Sequence, residues 1–496
     1  MNIVSKVKLQ SQLTLFDVTN LVVGAIIGAD IYVASAFGAQ YLGPFSLVVW
    51  VIAGAMAIVI ALCFAQCASL LPKVGGPYAY AKEAWGQFSG FIVGWSLWLA
   101  EWVSLAVFPL AFVEYLSVYV KLSPIPQILV EGAFVLFLIA SNIFGVKSAG
   151  RTNDVLTLVK LAPLILFVVV SVGFVVFHPA VAASHFSPLL PSGLGGFGLA
   201  LVLIFWAYAG FEISTIPAEE IKDAKKTIPR AIVLGLAIVT VFYLVTNVLL
   251  FGVTPSAVLA LNKTPLTTAT GTALSWNRSV LNVGVAIVGI GALISVAGSD
   301  ESGMIGTSRL GYALAADGLF PAVFAKISAK FKTPYLGIII QGVTAFAAAV
   351  YGGLVSGGLS ILIATSVFLL GVAYLATALS VFWLRKKCPG TQSRWEATSV
   401  IPILGIAFSV ILIVLCGVVQ IAVGIALLAV GIPIYILYSP KKELTELKNT
   451  FLSREAILER AYGQEDRFLA HALRHVKRAY RRITGKKQTW QTDDKD

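Results

Sequence analysis

Charge is scarce in this chain: Asp, Glu, Lys and Arg make up 12% of its 496 residues, about half the share found in soluble domains. Hydrophobic residues make up 58%. The scarcity excludes a soluble enzyme, and the apolar excess excludes a disordered chain. Nucleic acid is not the expected partner either, although the formal net charge is +12. Cysteines are few: Cys63, Cys67, Cys388 and Cys416 all lie in or beside apolar runs, so neither a disulfide nor a zinc site is expected. Cys63 and Cys67, four residues apart, read as packing on an apolar helix. The opening MNIVSKVKLQ lacks the apolar core and small-residue cleavage site of a signal peptide. No zinc motif, nucleophile elbow or phosphate-cradling glycine loop occurs, so no catalysis, cofactor or metal is expected. The glycine pairs Gly75-Gly76 and Gly352-Gly353 read as turns.

What the chain does have is long apolar runs. At roughly 20 residues per crossing, they predict an all-α integral membrane protein of twelve transmembrane helices. The spans read as 15–40, 45–71, 88–119, 127–145, 154–177, 197–217, 230–252, 279–315, 334–354, 358–384, 398–417 and 418–438. Runs this long and apolar do not fit the short alternating strands of a membrane barrel. With the N-terminus in the cytoplasm, the inner segments carry 18 Lys and Arg and the outer loops only Lys121, Lys263 and Arg278. That asymmetry puts both termini in the cytoplasm, and a cell or inner membrane is the simplest location. Residues 440–496 carry 14 Lys and Arg against 9 Asp and Glu. This basic cytoplasmic tail, above all 474–487, could lie on anionic lipid or be solvated.

Two spans are interrupted by small residues. In the first the run is Gly24-Ala25-Ile26-Ile27-Gly28-Ala29-Asp30, and in the sixth it is Phe205-Trp206-Ala207-Tyr208-Ala209-Gly210-Phe211-Glu212. Each opens a group of five helices. Paired breaks in corresponding helices point to a small-molecule binding site at the membrane midplane. Unwound backbone offers N–H groups to an anion and carbonyls to an ammonium. The bland alternative is that these glycines only allow close helix packing.

The chain resembles the amino acid–polyamine–organocation transporter superfamily, in particular its proton-coupled amino acid permeases. Four segments carry the resemblance: Val23-Gly24 through Gly28; Leu71-Pro72-Lys73-Val74-Gly75-Gly76-Pro77-Tyr78-Ala79-Tyr80 with Gly86; the sixth-span stretch running into Glu219-Glu220-Ile221-Lys222 and Ile228-Pro229-Arg230-Ala231; and Ser308-Arg309 with Ala316-Asp317-Gly318-Leu319-Phe320-Pro321. The resemblance implies a leucine-transporter-like 5+5 inverted repeat with helices 1 and 6 discontinuous. Residues 1–12 would then be a cytoplasmic N-terminus, 13–195 the first repeat, 196–390 the second and 391–439 two further helices. It implies alternating access for an amino acid or related amine. Carried over by position, the substrate amine meets the carbonyls of Ile26, Trp206 and Ala209. The carboxylate meets the N–H groups of Ala29 and Asp30, and Trp206 covers the side chain. Gly28 and Ala207 complete the two unwound stretches.

Ionisable groups inside membrane helices are costly and point to function. Here they are Asp30, Glu101, Lys160, Asp300 and Glu301. An ammonium withdrawn from water can give up and regain a proton. In proton-coupled relatives a helix 5 lysine stands where sodium-coupled ones hold an ion, and Lys160 matches that lysine. It would reach helix 1 near Gly24–Ile27 and helix 8. Ala297 and Gly298 fall where sodium-coupled relatives place hydroxyls, which argues against sodium, although Ser295 and Ser299 are adjacent. A structural Lys–acid pair is the alternative. Glu101 is similar in place to a glutamate of cationic amino acid transporters, and Glu212 reads as structural. At Asp30 the family usually has glycine. An ionised Asp30 would repel a substrate carboxylate and attract an ammonium; turned away, it would cap the half-helix. Asp300 and Glu301 diverge by about 100° on one helix, so at most one faces the cavity. The open readings are a proton-coupled amino acid carrier, an amine or polyamine carrier recognising an ammonium through Asp30, and a non-transporting sensor acting through the tail. The expected partners are the small-molecule substrate, protons and membrane lipid.

Overall fold

The computed structural model describes residues 13–71, 75–144, 149–191, 193–212, 221–387 and 398–439, with backbone alone at Ala29, 149–158 and Ala224. Among them lie eighteen α-helices and no strand, only a parallel bridge between Leu13 and Ile221. The chain divides into two compact units, Met1–Tyr438 and Ser439–Asp496. The N-terminus, the tail, Glu219-Glu220 and the basic residues Lys73, Lys147 and Arg394 fall outside the described residues.

The chain opens with α1 (Leu15–Ile26) and α2 (Ala29–Leu42). Thr14 starts α1 with a capping box: its amide and hydroxyl donate to the Asp17 carboxylate at 2.8 and 2.7 Å. Gly43, at φ +60° and packed against Pro191, turns the chain into α3 (Ser46–Leu70). Then come α4 (Pro77–Trp85), α5 (Gln87–Leu105) and α6 (Val107–Leu116). The last two fall within one predicted span. Pro109 has no N–H for the Leu105 carbonyl, and the helix breaks beside it at Ala106. Next are α7 (Pro124–Phe144), α8 (Ala149–Phe177), the short α9 (Pro179–Ser184) and α10 (Phe197–Trp206). The second half follows with α11 (Ala224–Val253), α12 (Ser256–Ala260), α13 (Pro265–Ala273) and α14 (Arg278–Ala316). It ends with α15 (Tyr335–Leu354), α16 (Gly358–Lys387), α17 (Val400–Leu415) and α18 (Val418–Tyr438).

Among the described residues nine helical stretches are long and apolar enough to cross a membrane, and three shorter apolar helices are α1, α10 and α17. The brevity of α1 and α10 is the consequence of the breaks that follow them. Side chains on the outer faces are apolar, such as Val169, Val176, Val241, Val414, Val418 and Leu437, each more than 60% exposed. An apolar exterior this extensive belongs in lipid. The chain is a multi-pass membrane protein.

The helices around the two breaks pack through glycines. A Cβ on Gly235 of α11 would lie 2.6 Å from Val22 of α1. On α14, Gly284, Gly291 and Gly298 recur every seven residues and so share a face. They meet Leu274 beyond α13, Pro163 of α8 and Lys160 of α8 respectively. This bare stripe lets α8 approach closely enough to bury Lys160. Cys63 and Cys67 donate to the Val59 and Thr377 carbonyls, as packing residues do.

At 39 residues, α14 is about 58 Å long and outruns the hydrocarbon layer. Its end is pinned by Asp317, whose carboxylate accepts from Lys82 of α4 at 2.8 Å and from the Tyr78 hydroxyl. Burial alone would raise the Asp317 carboxyl. The hydrogen bonds from Lys82 and Tyr78 and the Lys82 charge outweigh it and hold the group below the ordinary aspartate range. A depressed folded value gives stability that is present above the unfolded value and lost as pH falls through the folded one. Both side chains are more than one-third exposed, which limits the contribution to about 1 kcal/mol or less. Asp317→Asn is therefore expected to lower the thermal midpoint by about 1–2 °C at neutral pH. The difference should shrink as pH falls through the carboxylate range; a difference that held constant would contradict this.

Candidate functional site

The first break is two residues long. After α1, Ile27 turns extended (φ −75°, ψ 102°) while its amide still bonds the Val23 carbonyl at 2.8 Å. Gly28 then leads into α2 at Ala29. A Cβ on Gly28 would fall 2.0 Å from Ser299 Oγ, so Ser299 of α14 fills the space a side chain would take. The second break follows Trp206. The amides of Ala207, Tyr208 and Ala209 bond back three residues at 3.1, 2.9 and 3.0 Å, a tightened last turn. The chain then swings at Gly210, φ +115°. The predicted sixth span, 197–217, is thus helical only to residue 206, with 213–220 outside the described residues.

The second break packs on the last turn of α1. A Cβ on Gly210 would stand 2.9 Å from the Ala25 carbonyl oxygen and 3.5 Å from the Ile26 nitrogen. The turn after α10 therefore meets the C-terminal end of α1 just before the first break, among buried walls. Some of this backbone already has partners. The Ile26 carbonyl accepts from the Tyr243 hydroxyl of α11 at 3.0 Å, and the Trp206 carbonyl accepts the Ala209 amide. Each carbonyl keeps a second lone pair. Trp206 is 3% exposed. Its indole donates to Ser104 of α5 at 3.2 Å and its ring stands 6.0 Å from Phe108, so it is anchored in the wall between α10 and α5. Tyr208 donates to the Trp50 carbonyl at 2.9 Å, and Tyr208, Trp50 and Tyr243 form an aromatic cluster beneath the break.

The charges divide into two groups. Glu212 holds the second break: its two carboxylate oxygens accept the Gly210 amide at 3.1 and 3.0 Å, and one accepts Tyr374 of α16 at 3.1 Å. The Glu101 carboxyl of α5 adjoins that of Glu212. The other group surrounds Lys160, which is 4% exposed and lies one turn before Pro163. A Cβ on Gly298 would meet its Cε at 2.5 Å and its Nζ at 3.1 Å. Lys160 thus stands against α14, within the electrostatic reach of Asp30 and Glu301. Asp30, 7% exposed, sits in the first turn of α2, its carboxylate engaging its own amide. Asp300 is buried, with Oδ1 lacking a partner among the described residues. Glu301 is half-buried and turns to α7, accepting from Ser141 at 2.7 Å.

Several residues here carried no sequence signal. Tyr243 and Ser104 act across helices far apart in the chain, which helical periodicity does not reveal. Ser295 and Ser299, one turn apart on α14, are buried with hydroxyls lacking partners among the described residues. Glu131 of α7 is a buried intramembrane acid, 5% exposed, that the sequence reading passed over. Among the described residues no three His, Cys, Asp or Glu side chains gather as a metal site requires.

The site has relatives. A family model described as amino acid permease matches residues 13–438. The chain is 29% identical over 456 residues to a branched-chain amino acid permease of Bacillus subtilis, covering 87% of this chain and 94% of the relative. It is 29% identical over 453 residues to a methylthioribose transporter of the same organism, with the same coverage. With the human large neutral amino acids transporter small subunit 2 it shares 27% over 455 residues, covering 87% and 81%.

Proposed function

This chain belongs to the amino acid permease family, of the amino acid–polyamine–organocation superfamily, and we propose that it carries an amino acid across the membrane by alternating access, driven by protons that bind and leave Lys160. Membership makes it a permease rather than an enzyme. The reading takes twelve crossings, with α1–α2, α5–α6 and α10 onward each one crossing, arranged as a 5+5 inverted repeat and two further helices. Both termini are cytoplasmic, in the cell membrane, because Lys and Arg crowd the inner segments.

The observation that carries the reading is the packing of the Gly210 turn on the end of α1 at Ala25, which brings the two interrupted helices together. In this reading the carbonyls of Ile26, Trp206 and Ala209 take an ammonium. The N–H groups that start α2, at Gly28, Ala29 and Asp30, take a carboxylate. An amino acid zwitterion needs both. Trp206 and Ala207 wall the site. Two relatives named for branched-chain and large neutral amino acids favour an apolar side chain.

The test is uptake of labelled leucine, isoleucine and valine into proteoliposomes under an inward proton gradient. Uptake that rises with the gradient and ignores sodium is expected. Uptake that requires sodium would overturn the proton mechanism.

Asp30 supports a second reading. A buried carboxylate at the start of α2 occupies the place where a substrate carboxylate would bind, and two such anions repel strongly away from water. A substrate with an ammonium and no carboxylate avoids that conflict. Under this reading putrescine or spermidine is taken up, and Asp30→Gly lowers amine uptake about ten-fold or more, the effect of losing a charge-assisted contact of about 1.5–3 kcal/mol. If only carboxylate-bearing substrates move, and Asp30→Gly leaves them unchanged, the amine reading fails.

A further inference from the structure

Lys160 is enclosed, yet a proton carried by it must reach water on one side of the membrane. Its own surroundings are closed: α14 covers it through Gly298, and Pro163 packs on Gly291 one step away. On the side of the break the acid near it is Asp30 of α2, itself 7% exposed. On the other side the acid near it is Glu301. Glu301 lies three residues beyond Gly298 on α14, on the neighbouring part of the same face and one turn closer to the end marked by Asp317. Unlike Lys160 and Asp30 it is only half-buried. It is also oriented: Ser141 donates to Oε1 at 2.7 Å, and Ser141 stands three residues from the end of α7 at Phe144. In the orientation given above, that end is cytoplasmic.

We propose that Glu301 is the relay through which Lys160 exchanges its proton with the cytoplasm. The inference rests on the reading of Lys160 as the proton carrier. The Lys160 ammonium passes a proton to the Glu301 carboxylate, leaving a neutral amine and a carboxylic acid. Glu301 then passes the proton to water at the inner end of α7 and becomes a carboxylate again. No electrons move, and one proton crosses per cycle. The reverse sequence reloads Lys160.

The charged and polar groups on the elements packed against α14 leave this role to Glu301. Lys160 of α8 is within electrostatic reach of it, and the Ser141 hydroxyl of α7 donates to it. Asp300, its neighbour on α14, is rotated by about 100° and fully buried. From α5, Glu101 is engaged with Glu212. From α6, Glu114 pairs with Lys263 at 3.0 Å. From α15, Gln341 is neutral. Lower on α14, Arg309 donates to the carbonyl of Ile305 on its own helix. Glu301 is therefore the acid placed to take a proton from Lys160 away from the break.

The test uses the full-length protein in proteoliposomes with leucine as probe. Two rates are compared: gradient-driven accumulation, which needs net proton transfer, and leucine–leucine exchange, which does not. Glu301→Gln should keep exchange within about two-fold and lose accumulation by about ten-fold or more, the size of a lost proton-transfer group. Glu301→Asp should recover part of it. Ser141→Ala keeps the carboxyl but removes the bond that orients it, and should lower accumulation less than Glu301→Gln does while leaving exchange unchanged. Accumulation by Glu301→Gln equal to wild type, with the same pH profile, overturns the relay. Loss of exchange together with accumulation makes Glu301 structural and overturns it too. Lys160→Ala separates the two ideas. If that substitution also leaves accumulation intact, the Lys160 reading has failed; if it abolishes accumulation while Glu301→Gln does not, only the relay has failed.

Discussion

Gly210→Ala is expected to reduce uptake more than ten-fold while the protein still inserts in the membrane. Two independent effects converge on this residue. Its φ of +115° is a region that L side chains rarely adopt, at a cost of about 1–3 kcal/mol. The added Cβ would also stand 2.9 Å from the Ala25 oxygen and 3.1 Å from its carbonyl carbon. Those neighbours are backbone, so no rotamer change relieves the clash. The turn after α10 must move away from the end of α1, and the Gly210 amide must leave the Glu212 carboxylate it now bonds at 3.0–3.1 Å. Misplacing a binding geometry by about an ångström is enough to cost 10²-fold in rate. Uptake per reconstituted protein measures the effect. Gly173→Ala is the control, because a Cβ there meets nothing within 4 Å. Wild-type uptake by Gly210→Ala would mean that this contact is incidental.

Lys160→Ala is expected to abolish gradient-driven accumulation and leave leucine–leucine exchange measurable. The side chain contributes no hydrogen bond to the backbone of either break, so substrate recognition does not depend on it. Its charge is the one cation within electrostatic reach of Asp30 among the described residues. Removing it takes away the basic group that, among the described residues, is placed to carry a proton beside the breaks. The expected signature is a flat pH profile, compared with a wild-type rate that rises as the outside is acidified. Accumulation that persists with its gradient response intact would remove Lys160 from the mechanism.

The all-helical, membrane-spanning character was legible in the sequence because membrane helices announce themselves by length and apolarity. The interruption at Gly24–Asp30 was visible as a run of small residues, and the structure narrows it to Ile27 and Gly28. The second was visible at Trp206–Gly210 for the same reason. The break at Ala106 was not anticipated, although Pro109 supplies its cause: one proline inside a long apolar run looks like a tolerated kink. Lys160 stood out because a charge in an apolar run is costly; its approach to α14 was implied by the resemblance, and the structure makes it through Gly298. Partners across helices were not legible. Periodicity states which face of α11 is buried but not that Tyr243 reaches the Ile26 carbonyl, nor that Ser104 holds the Trp206 indole. Glu131 was overlooked because it lies two turns inside the start of α7, where an acid reads as part of the interface. The divergence of Asp300 and Glu301 followed from helix geometry, whereas the choice of Glu301 to face Ser141 depends on how α7 and α14 pack.

The most direct test of the central claim is to watch protons during substrate entry. A pH-sensitive dye trapped inside proteoliposomes, at equal pH on both sides and without sodium, reports whether leucine addition acidifies the lumen. The account predicts acidification with the wild-type protein and none with Lys160→Ala. Leucine entering without any change in lumenal pH, or entering only when sodium is supplied, would contradict it.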